Sequence, residues 1–287
     1  MGDLVLPGPL VDADWLHQHL HADGLIVFDA SWHMPASGRD AVSEWNEAHI
    51  PGARYFDFDG RVCDPHASLP HMMPDAELFT REMQALGLNR DSLVVVYDSL
   101  GMFSSPRVWW MLRAVGFSNA AVLDGGMPAW NAAGYPLEAA AQAPAFESGD
   151  FVAELDPQSI ADAPQVLGAL DAGDIAVLDA RSQERFRGDV EEPRAGLRRG
   201  HMPGAANLPF TDLFRDGRLK PAAELRSIFT PLLEGKRQTI CSCGSGVTAC
   251  VLVFAAHCAG FENLAVYDGS WCEWGLPGDL PVATLKD

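Results

Sequence analysis

The sequence lacks long apolar runs and is poor in positive charge. It contains no run of about eighteen consecutive apolar residues, which excludes a typical membrane-spanning helix. Only 20 Lys and Arg residues stand against 39 Asp and Glu residues, which gives a net charge of −19. Nucleic-acid phosphates require a basic surface. We therefore expect neither a nucleic-acid partner nor a membrane partner.

The start of the chain and the cysteine spacing also lack familiar signals. Residues 1–10 have no cationic start, sustained apolar stretch or small-residue cleavage site, so we expect a cytoplasmic protein. Five of the six cysteines fall in the last fifth of the chain, unlike the spread of a disulfide framework. No two cysteines have the spacing of a zinc knuckle, so we expect no metal site. We also expect no organic cofactor.

Motifs of the first half of the chain recur in the second half in the same order. Each half has an apolar run ending in Asp, a His-x-Pro-Gly motif, a second apolar run, and an Asp-Gly pair followed by Trp. The matched positions are Asp29 and Asp179, His49 and His201, Asp98 and Cys243, and Trp130 and Trp274. A constant order at nearly constant offset is typical of a tandem duplication.

Each half predicts an α/β domain. Short β-branched runs alternate with helical stretches, which favours a largely parallel sheet flanked by helices. We predict an N-terminal domain over residues 1–140, a linker over residues 141–157 that is rich in Ala, Pro and Glu, and a C-terminal domain over residues 158–287.

The segment Cys243-Gly-Ser-Gly-Val-Thr248 is the best candidate for a reactive site. It follows a predicted strand and leads into an apolar helix, so its backbone N–H groups should converge on one concavity. Gly244 and Gly246 permit the tight turn that such a cradle needs. A thiol at this position favours the nucleophilic thiolate, and the same amides could hold an anionic persulfide. The alternative is that Cys243 is a buried small apolar residue, which its Gly, Ser and Thr neighbours disfavour.

With this loop, the chain resembles the two-domain rhodanese superfamily, and within it the 3-mercaptopyruvate sulfurtransferases. The resemblance spans almost the whole sequence and is most specific at Cys243 to Ala249. It implies tandem rhodanese-like domains with an inactive first domain, since Asp98 stands at the position of Cys243. In the sister thiosulfate sulfurtransferases, Arg and Lys typically follow the cysteine. Here Gly244 and Ser245 follow it, which favours 3-mercaptopyruvate as the donor.

A local cluster of arginines could bind the substrate carboxylate. The segment from Asp179 to Arg199 holds six of the 20 Lys and Arg residues. The resemblance implies Arg185 and Arg194 as substrate ligands, with Arg187 a rival to Arg185. The alternative is a solvated loop whose arginines pair with nearby acidic residues.

The resemblance also implies a proton-handling group. The matching residues are Asp59 and His71, acting with Ser245, and His66 is a weaker candidate than His71. The sequence departs from the family by about one extra residue between Asp59 and His71, which leaves this assignment open.

The implied reaction is sulfur transfer through a Cys243 persulfide with release of pyruvate. The loop residues Gly244, Ser245, Gly246, Val247 and Thr248 would bind the persulfide, and the acceptor would be thioredoxin, a small thiol or cyanide. Three alternatives are a thiosulfate sulfurtransferase, a phosphatase of the same fold and a non-catalytic sulfur-binding or regulatory module. The phosphatase is disfavoured because Ala249 stands where its phosphate-binding arginine would be.

Overall fold

The structure, a computed structural model, describes residues 4–140 and 146–285. The chain divides into two compact units. The first contains the described residues up to Pro65 and those of Met73–Leu155, and the second contains His66–Met72 and the described residues from Asp156 onward. Among the described residues of both units, none of the helices has the length and apolar character needed to cross a membrane.

The first unit is an α/β layer built on a five-stranded sheet. All of its strand pairs are parallel, and the strand order is β1-β5-β4-β2-β3. The strands are β1 (Leu10–Val11), β2 (Leu25–Asp29), β3 (Arg54–Tyr55), β4 (Leu93–Tyr97) and β5 (Ala120–Leu123). The helices are α1 (Ala13–His19), α2 (Ala41–Glu47), α3 (Ala76–Ala85), α4 (Ser105–Ala114) and α5 (Gly126–Ala132), and a 3₁₀ helix spans Pro35–Ser37.

The second unit repeats this design. Its parallel sheet has the order β6-β12-β11-β7-β8, and a two-stranded antiparallel hairpin, β9 with β10, lies outside it. The strands are β6 (Ile160–Ala161), β7 (Ile175–Asp179), β8 (Ala206–Asn207), β9 (Phe214–Arg215), β10 (Arg218–Leu219), β11 (Gln238–Ser242) and β12 (Leu264–Tyr267). The helices are α6 (Ala163–Ala172), α7 (Gln183–Arg187), α8 (Ala222–Leu233), α9 (Ala249–Cys258) and α10 (Ser270–Trp274), with a 3₁₀ helix at Phe210–Leu213.

The repeated motifs have equivalent structural roles in the two units. His49 Nδ1 and His201 Nδ1 each lie within 2.8 Å of a backbone carbonyl oxygen. Trp130 Nε1 and Trp274 Nε1 each donate to a proline carbonyl oxygen, at 2.9 Å and 2.7 Å. The sequence prediction of a duplicated α/β fold with largely parallel sheets is therefore confirmed.

The predicted domain boundaries remain a prediction. Residues 141–145 of the predicted linker lie outside the described residues. In its later part, Gly149 N–H donates to Gln84 O and Phe151 N–H donates to Leu88 O, all within the first unit. The Phe151 ring also packs edge-on against Phe117.

Candidate active site

Cys243 lies at the carboxyl end of the central strand of the second sheet. It follows β11, which pairs with β7 on one side and β12 on the other. In parallel sheets, ligands bind in the crevice outside these strand ends. Cys243 is only 2% exposed. The loop turns at Gly246, whose φ of +78° suits glycine, and α9 begins at Ala249.

Ser270 holds the Cys243 loop in place through its side-chain hydroxyl. Its Oγ accepts hydrogen bonds from Cys243 N–H and Gly246 N–H, each at 3.1 Å, and donates to Tyr267 O at 2.8 Å. The residue is completely buried and has a φ of +49°, a left-handed conformation that is costly for a residue with a side chain. This backbone strain is therefore maintained at the point where α10 supports the nucleophile loop.

Other loop amides remain available as donors. Within the described residues, the N–H groups of Gly244, Ser245, Val247 and Thr248 have no protein acceptor. They precede a helix of ten residues, whose N-terminus carries partial positive charge. Gly246 differs, since its N–H donates to Ser270 Oγ. The loop thus has the donors that an anionic sulfur next to Cys243 would need.

Arg185 lies directly over the loop. A Cβ atom added at Gly244 would be 3.1 Å from Arg185 Nη2, so glycine permits this close approach. Glu192 orients the guanidinium: Arg185 Nη2 donates to its Oε2 at 2.5 Å and Arg185 Nε to its Oε1 at 3.3 Å. Arg187 is exposed. The geometry therefore favours Arg185 over Arg187 as a ligand.

Arg194 and His71 meet in the second unit. Arg194 Nη2 lies 3.5 Å from His71 Nε2, although the two residues are far apart in sequence. His71 is buried and has a φ of +62°, whereas His66 is exposed. Of the two candidate histidines, His71 is thus the one beside a predicted substrate ligand.

Asp59 belongs to the first unit. Trp32 Nε1 donates to its Oδ2 at 2.9 Å, and Cys63 Sγ lies 3.2 Å from its backbone oxygen. Its role in proton handling remains a prediction.

Sequence reasoning assigned no role to Arg181, which is a buried cation of the site. It pairs with Asp179 at 2.6 Å and Glu192 at 2.9 Å, and its guanidinium stacks over the Trp271 ring at 4.0 Å. Burial lowers the pKa of Arg181, but Asp179, Glu192 and the negative charge of Cys243 outweigh it, so the pKa is raised overall. Arg181 therefore remains charged, as a buried cation at the edge of the sheet where Cys243 lies.

The alternative of arginines paired with nearby acids is correct for several members of the cluster. Glu192 binds both Arg181 and Arg185, so it links the buried cation to the one over the loop. The sequence carried a signal for Arg181, because it directly follows β7, next to β11 in the sheet. Neighbouring parallel strands end at the same edge, which places Arg181 near Cys243.

The described residues contain no group of three or more His, Cys, Asp or Glu side chains arranged to hold a metal ion. None of the six cysteines, which are Cys63, Cys241, Cys243, Cys250, Cys258 and Cys272 and all lie within the described residues, forms a disulfide. The chemistry that this site offers is that of a thiol among arginines and amide donors.

The Rhodanese-like domain family matches the chain twice, over residues 12–133 and 162–276. The 3-mercaptopyruvate sulfurtransferase of Escherichia coli (strain K12) is 40% identical over 278 residues, covering 96% of this chain and 98% of that protein. The thiosulfate sulfurtransferase of Cricetulus griseus is 39% identical over 279 residues, covering 94% of this chain and 93% of that protein.

Among solved structures, SseA from Escherichia coli, described with the 3-mercaptopyruvate sulfotransferases, superimposes with a TM-score of 0.82. It is 38% identical, and the match covers 92% of this chain and 98% of that chain. The similarity in sequence and in structure thus extends over both units.

Proposed function

Because this chain belongs to the rhodanese family, we propose that it moves the sulfur of 3-mercaptopyruvate to a thiophilic acceptor through a persulfide on Cys243. It is a sulfurtransferase that releases pyruvate. The observation that supports this reading best is the loop itself, where Cys243 is followed by uncharged Gly244 with Arg185 lying over it.

In the first half-reaction, the Cys243 thiolate attacks the substrate sulfur. The bond between that sulfur and carbon breaks, its electrons leave with pyruvate as the enolate, and the enolate takes up a proton. Arg185 and Arg194 bind the substrate carboxylate, for which a guanidinium offers paired donors. They supply locally the positive charge that a chain of net charge −19 lacks overall.

The persulfide then rests in the amide cradle. The N–H groups of Gly244, Ser245, Val247 and Thr248 lie along the loop, and Arg181 contributes its buried charge. Preorganised donors stabilise an anion without rearranging at the moment of reaction.

In the second half-reaction, a thiophilic acceptor removes the outer sulfur. Thioredoxin, a small thiol and cyanide are the acceptors we propose. We propose that His71, whose Nε2 lies 3.5 Å from Arg194 Nη2, exchanges a proton with bound substrate and that Ser245 and Asp59 cooperate with it. We also propose a cytoplasmic location and an N-terminal domain over residues 1–140, a linker over 141–157 and a C-terminal domain over 158–287.

Thiosulfate is the alternative donor. Overall identity does not separate the two donors, because the relatives named for each are almost equally similar to this chain. The loop supports 3-mercaptopyruvate as the donor. A Cβ atom at position 244 would lie 3.1 Å from Arg185 Nη2, so a basic residue there would require the Arg185 side chain to shift.

The test is steady-state pyruvate release from 3-mercaptopyruvate with a thiol acceptor, beside thiocyanate formation from thiosulfate and cyanide. We expect kcat/KM to favour 3-mercaptopyruvate by about 10-fold or more, or roughly 1.4 kcal/mol. The double variant Gly244→Arg/Ser245→Lys should lose this preference. Equal or better use of thiosulfate by the unaltered protein would overturn the proposal.

A further inference from the structure

The first turn of α10 is hydrogen-bonded directly to the nucleophile loop. Trp271 N–H donates to Cys243 O at 3.0 Å, and Cys272 N–H donates to Gly244 O at 2.8 Å. Together with the Ser270 hydroxyl, these bonds hold the start of α10 against the residues that carry the reacting sulfur. The backbone of a second cysteine, Cys272, is thereby held next to the backbone of Cys243 and Gly244.

The surroundings of the Cys272 thiol are those of the active site. Cys272 is 5% exposed, and burial raises the pKa of its thiol. Arg194 opposes this rise in pKa, the negative charge on Cys243 adds to it, and Glu192 and Arg185 act in smaller measure. The thiol therefore shares its charged neighbours with the predicted substrate site.

Two other buried thiols near the loop are placed differently. Cys250 Sγ lies 3.1 Å from Gly246 O, to which it donates. Cys241 lies inside β11, where burial raises its pKa and Cys250 and Cys243 raise it further, with no cation contributing. The Cys272 thiol, in contrast to that of Cys241, has Arg194 and Arg185 among its charged neighbours.

We propose that Cys272 is the resolving thiol of the Cys243 persulfide. It attacks the inner sulfur of that persulfide, forms a Cys243–Cys272 disulfide and expels hydrosulfide. The inference rests on the proposed function, because 3-mercaptopyruvate must first load Cys243 with sulfur. It adds an internal acceptor to the external ones.

The step balances without a further oxidant. The Cys272 thiolate supplies the electron pair for the new S–S bond, and the bond between the two persulfide sulfurs breaks with its electrons on the outer sulfur. That sulfur, transferred from the substrate at the sulfane level, is reduced to sulfide while the two cysteine thiols are oxidised to a disulfide. An external dithiol then reduces the disulfide and restores both thiols.

The raised pKa of Cys272 limits the rate of the resolving step. At neutral pH only a small fraction of the group is the thiolate that attacks the persulfide. Because a raised pKa means that the thiolate forms only as pH increases, resolution should accelerate on the alkaline side. The rate of sulfide release from the loaded protein should therefore rise with pH.

The experiment is a single turnover in the absence of any external acceptor. Fully reduced, desalted protein receives one equivalent of 3-mercaptopyruvate, and pyruvate, sulfide, free thiols and intact mass are measured over time. The unaltered protein should release one equivalent each of pyruvate and sulfide, lose two thiols and become lighter by two hydrogen atoms. Cys272→Ser and Cys272→Val should form pyruvate and stop as persulfides, heavier by one sulfur atom.

A matched control is Cys258→Ser, which removes a thiol from the far end of α9 and should behave as the unaltered protein. If the unaltered protein forms pyruvate but retains the extra sulfur as Cys272→Ser does, the resolving role is wrong and the proposed function stands. If it forms no pyruvate, the proposed function fails, and this inference with it. Sulfide release from Cys272→Val at the unaltered rate would also overturn it.

Discussion

The loops that follow β4 and β11 occupy equivalent places in their units, yet they differ in whether their amide donors are already bound to a negatively charged side chain. After β11, four of the amides that follow Cys243 have no protein acceptor in the described part of the chain, namely those of Gly244, Ser245, Val247 and Thr248. After β4, the Asp98 carboxylate accepts hydrogen bonds from backbone N–H groups of the equivalent loop. The N–H groups of Ser104 and Ser105 donate to Asp98 Oδ2 at 3.0 Å and 2.8 Å, and Leu100 N–H donates to Oδ1 at 2.9 Å.

The difference extends to the residue that supports each loop. Gly126 in the first unit and Ser270 in the second have φ values of +52° and +49°. A Cβ at Gly126 would lie 2.3 Å from Gly101 O and 2.5 Å from Asp98 O, so only glycine fits there. In the second unit the loop leaves room for a serine, whose hydroxyl then binds two loop amides. The same fold thus holds two kinds of site. In the first unit the loop donors bind the Asp98 carboxylate, and in the second four of them remain available to a bound anion.

Replacing the nucleophile should have the largest effect. We expect Cys243→Ser to lower pyruvate release by about 1000-fold or more, since a hydroxyl at that place is neither ionised nor thiophilic. Cys258→Ser is the matched control and should retain turnover. Turnover within about 10-fold of the unaltered value in Cys243→Ser would remove the proposed mechanism.

Removing the internal anion of the first unit should affect stability rather than chemistry. In Asp98→Ala, the buried N–H groups of Ser104 and Ser105 and the Ser105 hydroxyl lose their acceptor, as does the partly buried Leu100 N–H, which should cost about 3 kcal/mol in the free energy of unfolding. Urea unfolding measures this loss. The exposed Asp91→Ala is the control, and equal unfolding midpoints for the two variants would contradict this account.

The arginine over the open loop should act on substrate use. Arg185→Ala is expected to lower kcat/KM for 3-mercaptopyruvate by about 10- to 100-fold, the scale of a charged hydrogen-bonded contact. Arg187→Ala, which removes an exposed neighbour on the same helix, should change it little. A larger loss of kcat/KM in Arg187→Ala than in Arg185→Ala would instead indicate that Arg187 is the ligand.

Replacing Ser270 by glycine, the residue at the equivalent position of the first unit, should have the smallest effect. Ser270→Gly relieves the strained φ but leaves Cys243 N–H and Gly246 N–H without their acceptor. We expect kcat to fall by about 10-fold with KM nearly unchanged, because the loop is displaced while the arginines stay. A fall confined to KM, or none, would show that the hydroxyl does not position the nucleophile.

The sequence was sufficient to predict the duplicated fold, which is confirmed, because its motifs recur in order along the chain. The roles of Cys243, from the loop motif, and of Arg185, from the family resemblance, remain predictions. Arg181, Ser270 and Cys272 were missed as parts of the site, since their roles depend on where the ends of separate strands meet. The positive φ of Ser270 could not be predicted from its residue type, because serine rarely adopts that conformation. The proximity of His71 to Arg194 likewise depends on long-range packing.

The assignment of His66–Met72 to the second unit bears on how this protein can be dissected. The chain passes from the first unit to the second and back before the first is complete, so the repeat in the sequence and the compact bodies do not coincide. A fragment beginning at Asp156 would contain Cys243 and the arginines but would leave out His71. Separating the catalytic half intact therefore calls for two pieces of chain, or for a rearranged gene that joins residues 66–72 to it.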